Sequence, residues 1–199
     1  MSTIKSICVY CASGPGKNPA FMDAAKTFGR ILAENGIRLV YGGGSVGLMG
    51  ALAESVIDHG GAVTGVIPDF LVNREHMLLS VQERLITRDM HERKWVMFER
   101  ADAFVALPGG VGTLEELVEQ LTWAQLGRHT KPIVLVNIDE FWAPFLALIS
   151  HMQAESFIRP DMDVRFLTVD RAEDVVPAIL AAAATPRDEA AAEAVSEKF

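Results

Sequence analysis

The segment VALPGGVGTLEE, residues 105–116, joins an apolar run to a helical pattern through a turn with three glycines. The run from Phe104 to Leu107 is typical of a buried strand. Apolar residues then recur at helical spacing: Leu114, Leu117, Val118 and Leu121. A glycine-rich turn before a helix leaves backbone N–H groups uncovered at the positive end of the helix dipole. The segment therefore predicts a strand–turn–helix unit that holds an anion and ends in carboxylates.

The same alternation of short apolar runs and longer helical patterns extends along the chain. Continuously apolar runs such as IVLV, residues 133–136, suit a parallel sheet that is covered on both faces. The pattern predicts an α/β fold of the Rossmann-like, doubly wound type, with a mostly parallel sheet of about seven strands flanked by helices on both faces. The predicted strands are 4–10, 37–41, 62–67, 82–87, 102–107, 132–137 and 164–169, and the predicted helices are 18–35, 46–59, 89–100, 113–126, 141–152 and 171–184.

Length and composition limit the classes of protein that this chain can be. With 199 residues, of which half are hydrophobic and 22% charged, we expect one globular domain over residues 1–184. The Ala/Glu-rich residues 185–199 are predicted to be a frayed or disordered tail, and Pro68 to Ser80 fits neither period and is predicted to be a functional loop.

Charge and hydropathy bear on partners and location. The net charge of −8 argues against a nucleic-acid or membrane-surface binder, since both need a positive field. Apolar runs stay below the roughly 18 residues that span a bilayer, and the N-terminus lacks a signal-peptide pattern, so we expect a cytoplasmic protein. The Cys8-x-x-Cys11 pair has no second ligand pair for zinc and is interpreted as packing cysteines, and the scattered histidines indicate no metal site.

A first glycine-rich turn occurs in LVYGGGSVGLMG, residues 39–50. Gly42, Gly44 and Gly47 match the dinucleotide fingerprint G-x-G-x-x-G after a strand and before a helix. One interpretation is structural, because glycines permit a tight turn and close packing of helix on strand. The other is functional: the bare amides of residues such as Gly43, Gly44 and Ser45 would face an anion.

The second turn, Pro108 to Thr113, is more specific. Gly109, Gly110 and Gly112 would admit positive φ and leave amides uncovered, while Thr113 could cap the helix or offer its hydroxyl to a phosphate. Two such turns at neighbouring strand ends would suit one mononucleotide, with its phosphate between two helix starts. A single dinucleotide would need only one such turn.

Glu116 has two possible roles. Thr113-x-x-Glu116 is a capping box, in which the carboxylate only bonds back to the cap amide. In the other interpretation, the apolar residues named above form one face of the helix and Glu116 lies roughly opposite, on the same side as Trp123. An aromatic residue there predicts that this second face is covered as well, by another subunit. A carboxylate between an anion site and a covered face is well placed for a catalytic role.

Four motifs in order resemble the LOG (Lonely Guy) family, the cytokinin riboside 5′-monophosphate phosphoribohydrolases. They are YGGGSVGLMG at 41–50, DMHERK at 89–94, PGGVGTLEE at 108–116 and LTWAQLGRHTKP at 121–132. The similarity runs from about Ser6 to Leu180. It implies a Rossmann-like fold and a homodimer.

The resemblance also implies roles for particular residues. Arg93 and Glu116 would be catalytic, and substrate contacts would come from Glu75, Lys94, Gly110, Val111, Gly112, Thr113, Leu114, Glu115 and Thr122. Met90, one turn before Lys94, is a candidate for the wall on which the base stacks. Without the resemblance, the opposite charges in HERK would favour a solvated helix face for Arg93 and Lys94.

These residues suit hydrolysis of the N-glycosidic bond of an adenine-type nucleoside 5′-monophosphate to free base and ribose 5-phosphate, with no cofactor. Glu116 could stabilise positive charge at C1′, hold the ribose hydroxyls or accept a proton from water. Arg93 cannot donate the proton to the base, because a guanidinium does not release its proton in a protein. The alternatives are a nucleotide sensor without turnover, a pyridoxal-phosphate-dependent lysine decarboxylase and an NAD(H)-dependent oxidoreductase.

Overall fold

The structure, a computed structural model, describes residues 4–72, 77–159, 162 and 164–184. They form a seven-stranded sheet in the order β4-β3-β2-β1-β5-β6-β7, and every strand pair is parallel. The strands are β1 Ser6–Tyr10, β2 Arg38–Tyr41, β3 Val63–Pro68, β4 Glu83–Thr87, β5 Ala103–Ala106, β6 Ile133–Val136 and β7 Leu167–Val169. The helices are α1 Pro19–Glu34, α2 Gly47–Asp58, α3 Met90–Glu99, α4 Val111–Gln125, α5 Ala143–Ala154 and α6 Val175–Ala184. The predicted Rossmann-like, doubly wound fold is confirmed.

The strand order places a crevice at one defined point of the sheet. From the central strand β1 the chain moves outward to β2 on one side and later to β5 on the other. Val9 is therefore in register with Tyr41 of β2 and with Val105 of β5. In a doubly wound sheet a ligand binds beyond the carboxyl ends of the strands at such a switch point. Both glycine-rich turns lie at this edge, because one follows β2 and the other follows β5.

Alternating side chains along the strands divide the core into two layers. Ile7 and Val9 of β1 pack towards α1, α2 and α6, with Phe28 and Leu52 at the centre of that layer. Cys8, Tyr10 and Phe104 face the other way, towards α3 and α4, where they meet Met97 and Leu117. The second layer carries the site described below. Cys8 and Cys11 are both buried free thiols, in agreement with their interpretation as packing residues.

Several predicted boundaries needed correction. α4 begins at Val111 rather than at 113, and the last strand is only Leu167–Val169 instead of 164–169. The predicted loop 68–80 contains the end of β3 and a 3₁₀ turn at Asp69–Leu71. Residues 73–76 and the predicted tail 185–199 lie outside the described residues. No helix within the described ranges has the length and apolar character needed to cross a bilayer.

Candidate functional site

The turn after β5 presents an open helix N-terminus. Gly110 is the N-cap of α4, and no side chain caps it. The first helical bond runs from the Leu114 amide to the Gly110 carbonyl at 3.0 Å, so the amides of residues 111–113 have no intrahelical acceptor. Outside the helix, no backbone carbonyl of the described residues accepts from these three amides. A Cβ added at Gly110 or Gly112 would meet nothing within 4 Å, and Val111 is 84% exposed. These amides are free to bind an anion.

Two details of this turn differ from the predictions. Gly109, Gly110 and Gly112 do not adopt positive φ, so their role is to leave space and not to permit a left-handed turn. Thr113 is the third residue of the helix and not its cap, and its buried side chain packs directly against Gly109. The capping box of Thr113 with Glu116 therefore does not form. The helix starts two residues earlier because an extended glycine can serve as N-cap without a side-chain acceptor.

The turn after β2 is closed by the protein itself. α2 begins at Gly47, and its Leu48 and Met49 amides donate to the carbonyls of Gly14 and Ala12 at 3.4 and 3.2 Å. Gly47 has a φ of 62°, and a Cβ there would overlap the backbone between Ser13 and Gly14. The structural interpretation therefore holds at this glycine. A phosphate shared between two helix starts was the wrong prediction, since β1 separates the turns and its following loop fills the start of α2.

The other residues of the first turn face a neighbouring loop. Gly43 has a φ of 82°, and its carbonyl accepts from the Leu78 amide at 3.0 Å. Gly44 forms an isolated antiparallel bridge with Met77. The carbonyl of Ser45 packs against Gly50 of α2. The predicted ligand contacts of Gly43, Gly44 and Ser45 stay predictions.

Arg93 is held at the carboxyl edge of the sheet by backbone carbonyls. Its Nε donates to Val66 O at 3.2 Å and its Nη2 to Gly42 O at 3.4 Å, while Nη1 contacts Met90 Sδ at 3.7 Å. A Cβ on Gly42 would overlap the guanidinium, so the first glycine of the fingerprint makes room for Arg93. Nη2 also lies 3.6 Å from Glu116 Oε1, and the two side chains are only 7% and 11% exposed.

Glu116 shares the buried face of α4 with Leu117 and Leu121, whereas the hydrophobic spacing predicted that it lies on a separate, second face. The buried residues of this helix are Thr113, Glu116, Leu117, Gln120 and Leu121. Leu114 and Val118 are 37% and 41% exposed, so they form an outer apolar stripe. The prediction failed because the buried face of α4 mixes polar and apolar residues, while two of the apolar residues used for the prediction lie on the outer face. Trp123 packs on Trp95 and Phe98 of α3, with ring centroids 6.1 and 5.1 Å apart. Residues of the same chain therefore cover at least part of Trp123, for which the sequence predicted cover by another subunit.

Lys94 is buried as well and joins α3 to α4. Its Nζ donates to Glu115 Oε1 at 2.6 Å and to Glu119 Oε1 at 2.8 Å. Burial alone would lower the pKa of Lys94, but the bonds to the two glutamates outweigh it, and the pKa lies above its usual value. The solvated helix face considered for Arg93 and Lys94 is therefore wrong. HERK puts its first two residues outward and its last two against α4 and the sheet.

Of the remaining residues predicted to contact substrate, some lie beside Arg93 and Lys94 and others do not. Met90 and Glu115 lie close to Arg93 and Lys94, through the contacts given above. Thr122 is exposed, and its hydroxyl donates to Val118 O at 2.8 Å. It lies eleven residues, about 16 Å, along the helix from Val111. Glu75 lies outside the described residues.

Comparison with known proteins identifies the family. The sequence model of the family described as "possible lysine decarboxylase" matches residues 49–179. The cytokinin riboside 5′-monophosphate phosphoribohydrolase LOG of Oryza sativa subsp. japonica is 49% identical over 88% of this chain and 72% of its own length. The cytokinin riboside 5′-monophosphate phosphoribohydrolase of Rhodococcoides fascians is 45% identical over 89% of this chain and 90% of its own. The chain belongs to the LOG family.

Structural similarity supports the fold of this LOG family member. The molybdenum cofactor binding protein of the phototrophic bacterium Rippkaea orientalis superposes with a TM-score of 0.66 at 22% identity. The match covers 91% of this chain and 98% of the other. At that identity the similarity concerns the arrangement of strands and helices alone. The described residues contain no cluster of three or more His, Cys, Asp or Glu that could hold a metal ion.

Three polar residues of this LOG family member escaped the sequence analysis. Glu119 is a half-buried partner of Lys94, and Tyr10 and Gln120 are buried in the same part of the core. The Tyr10 hydroxyl and the Gln120 carboxamide have no hydrogen-bond partner within the described parts of the chain. Burial, with the nearby charge of Glu116 adding to it, raises the pKa of Tyr10. The i+3 and i+4 spacing of Glu119 and Gln120 from Glu116 was the available signal.

Proposed function

We propose that this LOG family member hydrolyses the N-glycosidic bond of adenine-type nucleoside 5′-monophosphates, releasing the free base and ribose 5-phosphate. The observation that carries the proposal is the buried Arg93–Glu116 pair, 3.6 Å apart, one helical turn beyond the open N-terminus of α4. Anion binding alone does not require a buried carboxylate so near the phosphate. The curated relatives are named for this reaction on cytokinin riboside 5′-monophosphates.

The phosphate would bind the amides of Val111, Gly112 and Thr113. Their N–H groups lie at the positive end of the α4 dipole, and the glycines leave the approach open. These local donors can bind one phosphate in spite of the net charge of −8, because short-range hydrogen bonds outweigh a screened global field. Gly109 keeps the turn close to Thr113, and Leu114 and Glu115 would border the same opening.

Glu116 would then act on the sugar. It lies about 5 Å along the helix axis from the phosphate amides, within reach of a ribose that extends inward from them. As the base leaves, C1′ acquires positive charge, which a desolvated carboxylate stabilises. The same carboxylate can hold the ribose hydroxyls or accept a proton from the attacking water.

Arg93 would orient the Glu116 carboxylate and compensate its negative charge. A buried carboxylate without a cation is strongly unfavourable, and the guanidinium at 3.6 Å offsets that cost. Its fixed fork is held by the carbonyls of Gly42 and Val66, so the geometry does not depend on substrate. The guanidinium stays protonated at neutral pH and does not supply the proton to the departing base. Met90, in contact with Arg93, would border the base.

We also propose that the protein works as a cytoplasmic homodimer through the outer face of α4. Val111, Leu114 and Val118 form an exposed apolar stripe at helical spacing. Two antiparallel copies of α4, centred between Leu114 and Val118, would bring Thr122 of the partner subunit beside the phosphate amides. This arrangement would explain how Thr122 contacts substrate although it lies about 16 Å away along its own helix. Light scattering of the purified protein tests the dimer, and a monomer at micromolar concentration would exclude it.

Product analysis tests the reaction. The protein is incubated with AMP and with N6-isopentenyladenosine monophosphate, and the products are separated by chromatography. Free base and ribose 5-phosphate in equal amounts are expected, and the ratio of the two rates gives the preferred base. Adenosine, which lacks the phosphate, is the matched control and should be cleaved at least about 100-fold more slowly, because binding energy at the phosphate contributes to catalysis. Tight binding of AMP without any free base would instead identify a nucleotide sensor.

The family description "possible lysine decarboxylase" suggests a second candidate, for which the residues do not fit. A Schiff-base lysine needs a lowered pKa, whereas that of Lys94 is raised by Glu115 and Glu119. Burial lowers the pKa of Lys131, but this residue precedes β6, at the opposite edge of the sheet from the site. A visible absorbance band of the purified protein that borohydride removes would support the decarboxylase.

An NAD(H)-dependent oxidoreductase is disfavoured by the first turn. In that class the dinucleotide pyrophosphate binds the amides at the start of the helix after the fingerprint. Here the amides of Leu48 and Met49 already donate to loop carbonyls. Absence of NAD(H) binding by fluorescence titration is the expected result.

A further inference from the structure

The loop after β1 is bonded to both glycine-rich turns. The Ala12 amide donates to Pro108 O at 3.2 Å, which attaches the loop to the turn after β5. The Ala12 carbonyl accepts from the Met49 amide at 3.2 Å, and the Gly14 carbonyl accepts from the Leu48 amide at 3.4 Å. These bonds fix the loop at the switch point of the sheet, beside the turn that leads into α4.

Ser13 lies between the bonded positions of this loop, and it is exposed. Gly47 packs against its backbone, since a Cβ on that glycine would overlap the carbonyl group of Ser13. Ser13 therefore covers the start of α2. Its hydroxyl and its amide make no hydrogen bond to another described residue. Both donors of Ser13 are available to a ligand in the crevice.

A chain of hydrogen bonds extends the α2 dipole to the Ser13 amide. The carbonyl of Ala12 and the N–H of Ser13 belong to one trans peptide unit, in which they point in opposite directions. Since that carbonyl accepts from the Met49 amide at the start of α2, the Ser13 N–H points away from this helix. Hydrogen bonds in a head-to-tail chain polarise one another, so this N–H attracts an anion more strongly than an isolated amide does.

We propose that Ser13 binds the phosphate of the substrate with its amide and its hydroxyl, opposite the open amides of α4. The phosphate then lies between the loop after β1 and residues 111–113, at the switch point of the sheet. The inference rests on the proposed function, which places a nucleoside 5′-monophosphate in this crevice. A phosphate has three strong acceptor oxygens with more acceptor sites than three amides fill, and a serine hydroxyl can rotate to suit one of them.

Calorimetric titration with AMP and with ribose 5-phosphate tests this inference. Both ligands carry the phosphate, and only AMP carries the base. The titrations use the Glu116→Gln background, which slows the consumption of AMP during the measurement. Ser13→Ala removes the hydroxyl and should weaken the binding of both ligands about tenfold, because a hydrogen bond to a charged group is lost. Ser13→Asp should weaken it at least about 100-fold, since its carboxylate repels the phosphate dianion.

Two results would overturn the inference. In one, Ser13→Asp binds AMP within about twofold of its parent, which means that no phosphate lies near this residue. In the other, the Ser13 variants bind AMP more weakly but ribose 5-phosphate as tightly as the parent. Ser13 would then lie beside the base and not beside the phosphate.

Ser80→Asp is the matched control. Ser80 is exposed in the turn that precedes β4, so the change adds the same charge outside the crevice and should leave the AMP affinity within about twofold of its parent. An equal loss of affinity in Ser80→Asp and Ser13→Asp would mean that net charge sets the affinity, which also overturns the inference.

Urea denaturation checks the fold of the variants. Because Ser13 is exposed, its variants should unfold at the same urea concentration as the parent. If Ser13→Asp does not fold, Ser13→Ala decides, and an unchanged affinity for both ligands overturns the inference. If the wild-type protein binds AMP and releases no base, the proposed hydrolysis fails, while the titrations still decide on Ser13.

Discussion

The two glycine-rich turns look alike in the sequence and differ in the structure. In the turn after β2, the glycines make room for the protein itself: Gly42 accommodates Arg93, and Gly47 accommodates the loop at Ser13. In the turn after β5, nothing lies near Gly110 or Gly112, and the helix amides are open. A glycine therefore indicates that space is needed, but the residue type does not reveal whether a side chain, a loop or a ligand fills it.

The largest effect is expected from Glu116→Gln, on the helix that follows the open turn. Loss of the carboxylate should lower kcat for AMP about 1,000-fold, while AMP affinity should stay within about tenfold because the amides proposed to bind the phosphate are unchanged. Steady-state kinetics and calorimetry measure the two quantities. Glu54→Gln, an exposed glutamate on the helix after the closed turn, is the control. Hydrolysis near the wild-type rate by Glu116→Gln would place the chemistry elsewhere.

The second largest effect is expected from Gly42→Ala, which should lower kcat about 100-fold. The added methyl overlaps the Arg93 guanidinium and displaces it from Glu116, and misplacement by about 1 Å is enough for such a loss. The control is the same change in an Arg93→Ala background, where it should cost almost nothing. Equal losses in both backgrounds would mean that Gly42 serves something other than Arg93.

Gly47→Ala should act on stability. Its φ of 62° is strained for alanine, and the methyl also overlaps the Ser13–Gly14 backbone, so we expect the free energy of unfolding to fall by about 2–3 kcal/mol. Gly36→Ala is matched, because Gly36 has a φ of 64° and open space around it, and it should cost only about 1 kcal/mol. Urea denaturation of both variants compares the two costs. Equal destabilisation would show that the loop contact contributes nothing.

The smallest effect is expected from Gly112→Ala, with opposite signs for stability and activity. Replacing a helical glycine that has open surroundings should raise the free energy of unfolding by up to about 1 kcal/mol. The methyl would border the phosphate amides and raise KM for AMP about tenfold. Cleavage of adenosine, which has no phosphate, should be unaffected. A KM increase shared by AMP and adenosine would argue against a phosphate at this turn.

The fold was largely predictable from the sequence, and the site only in part. Short strand-like runs separated by helical patterns were enough for the parallel sheet, because the continuously apolar central runs, such as Ala103–Ala106 and Ile133–Val136, had to be covered on both faces. Helical spacing gave a wrong prediction at α4. Leu114 and Val118 have the spacing of a buried face but are exposed, whereas Glu116 is buried. The opposite charges of HERK, residues 91–94, likewise favoured a solvated helix face. Local charge pairing does not reveal that α4 supplies the partners of Lys94.

The amino-acid sequence by itself determined the strand–helix alternation, the two glycine-rich turns and the motifs that assign the chain to its family. These are local properties, set by hydrophobic period, backbone freedom and residue identity. Only the tertiary structure decided which turn is open and which glycine serves Arg93. It also decided that Lys94 bonds to two glutamates of another helix. Those outcomes depend on contacts between residues far apart in the chain, and no local pattern encodes the distance between them.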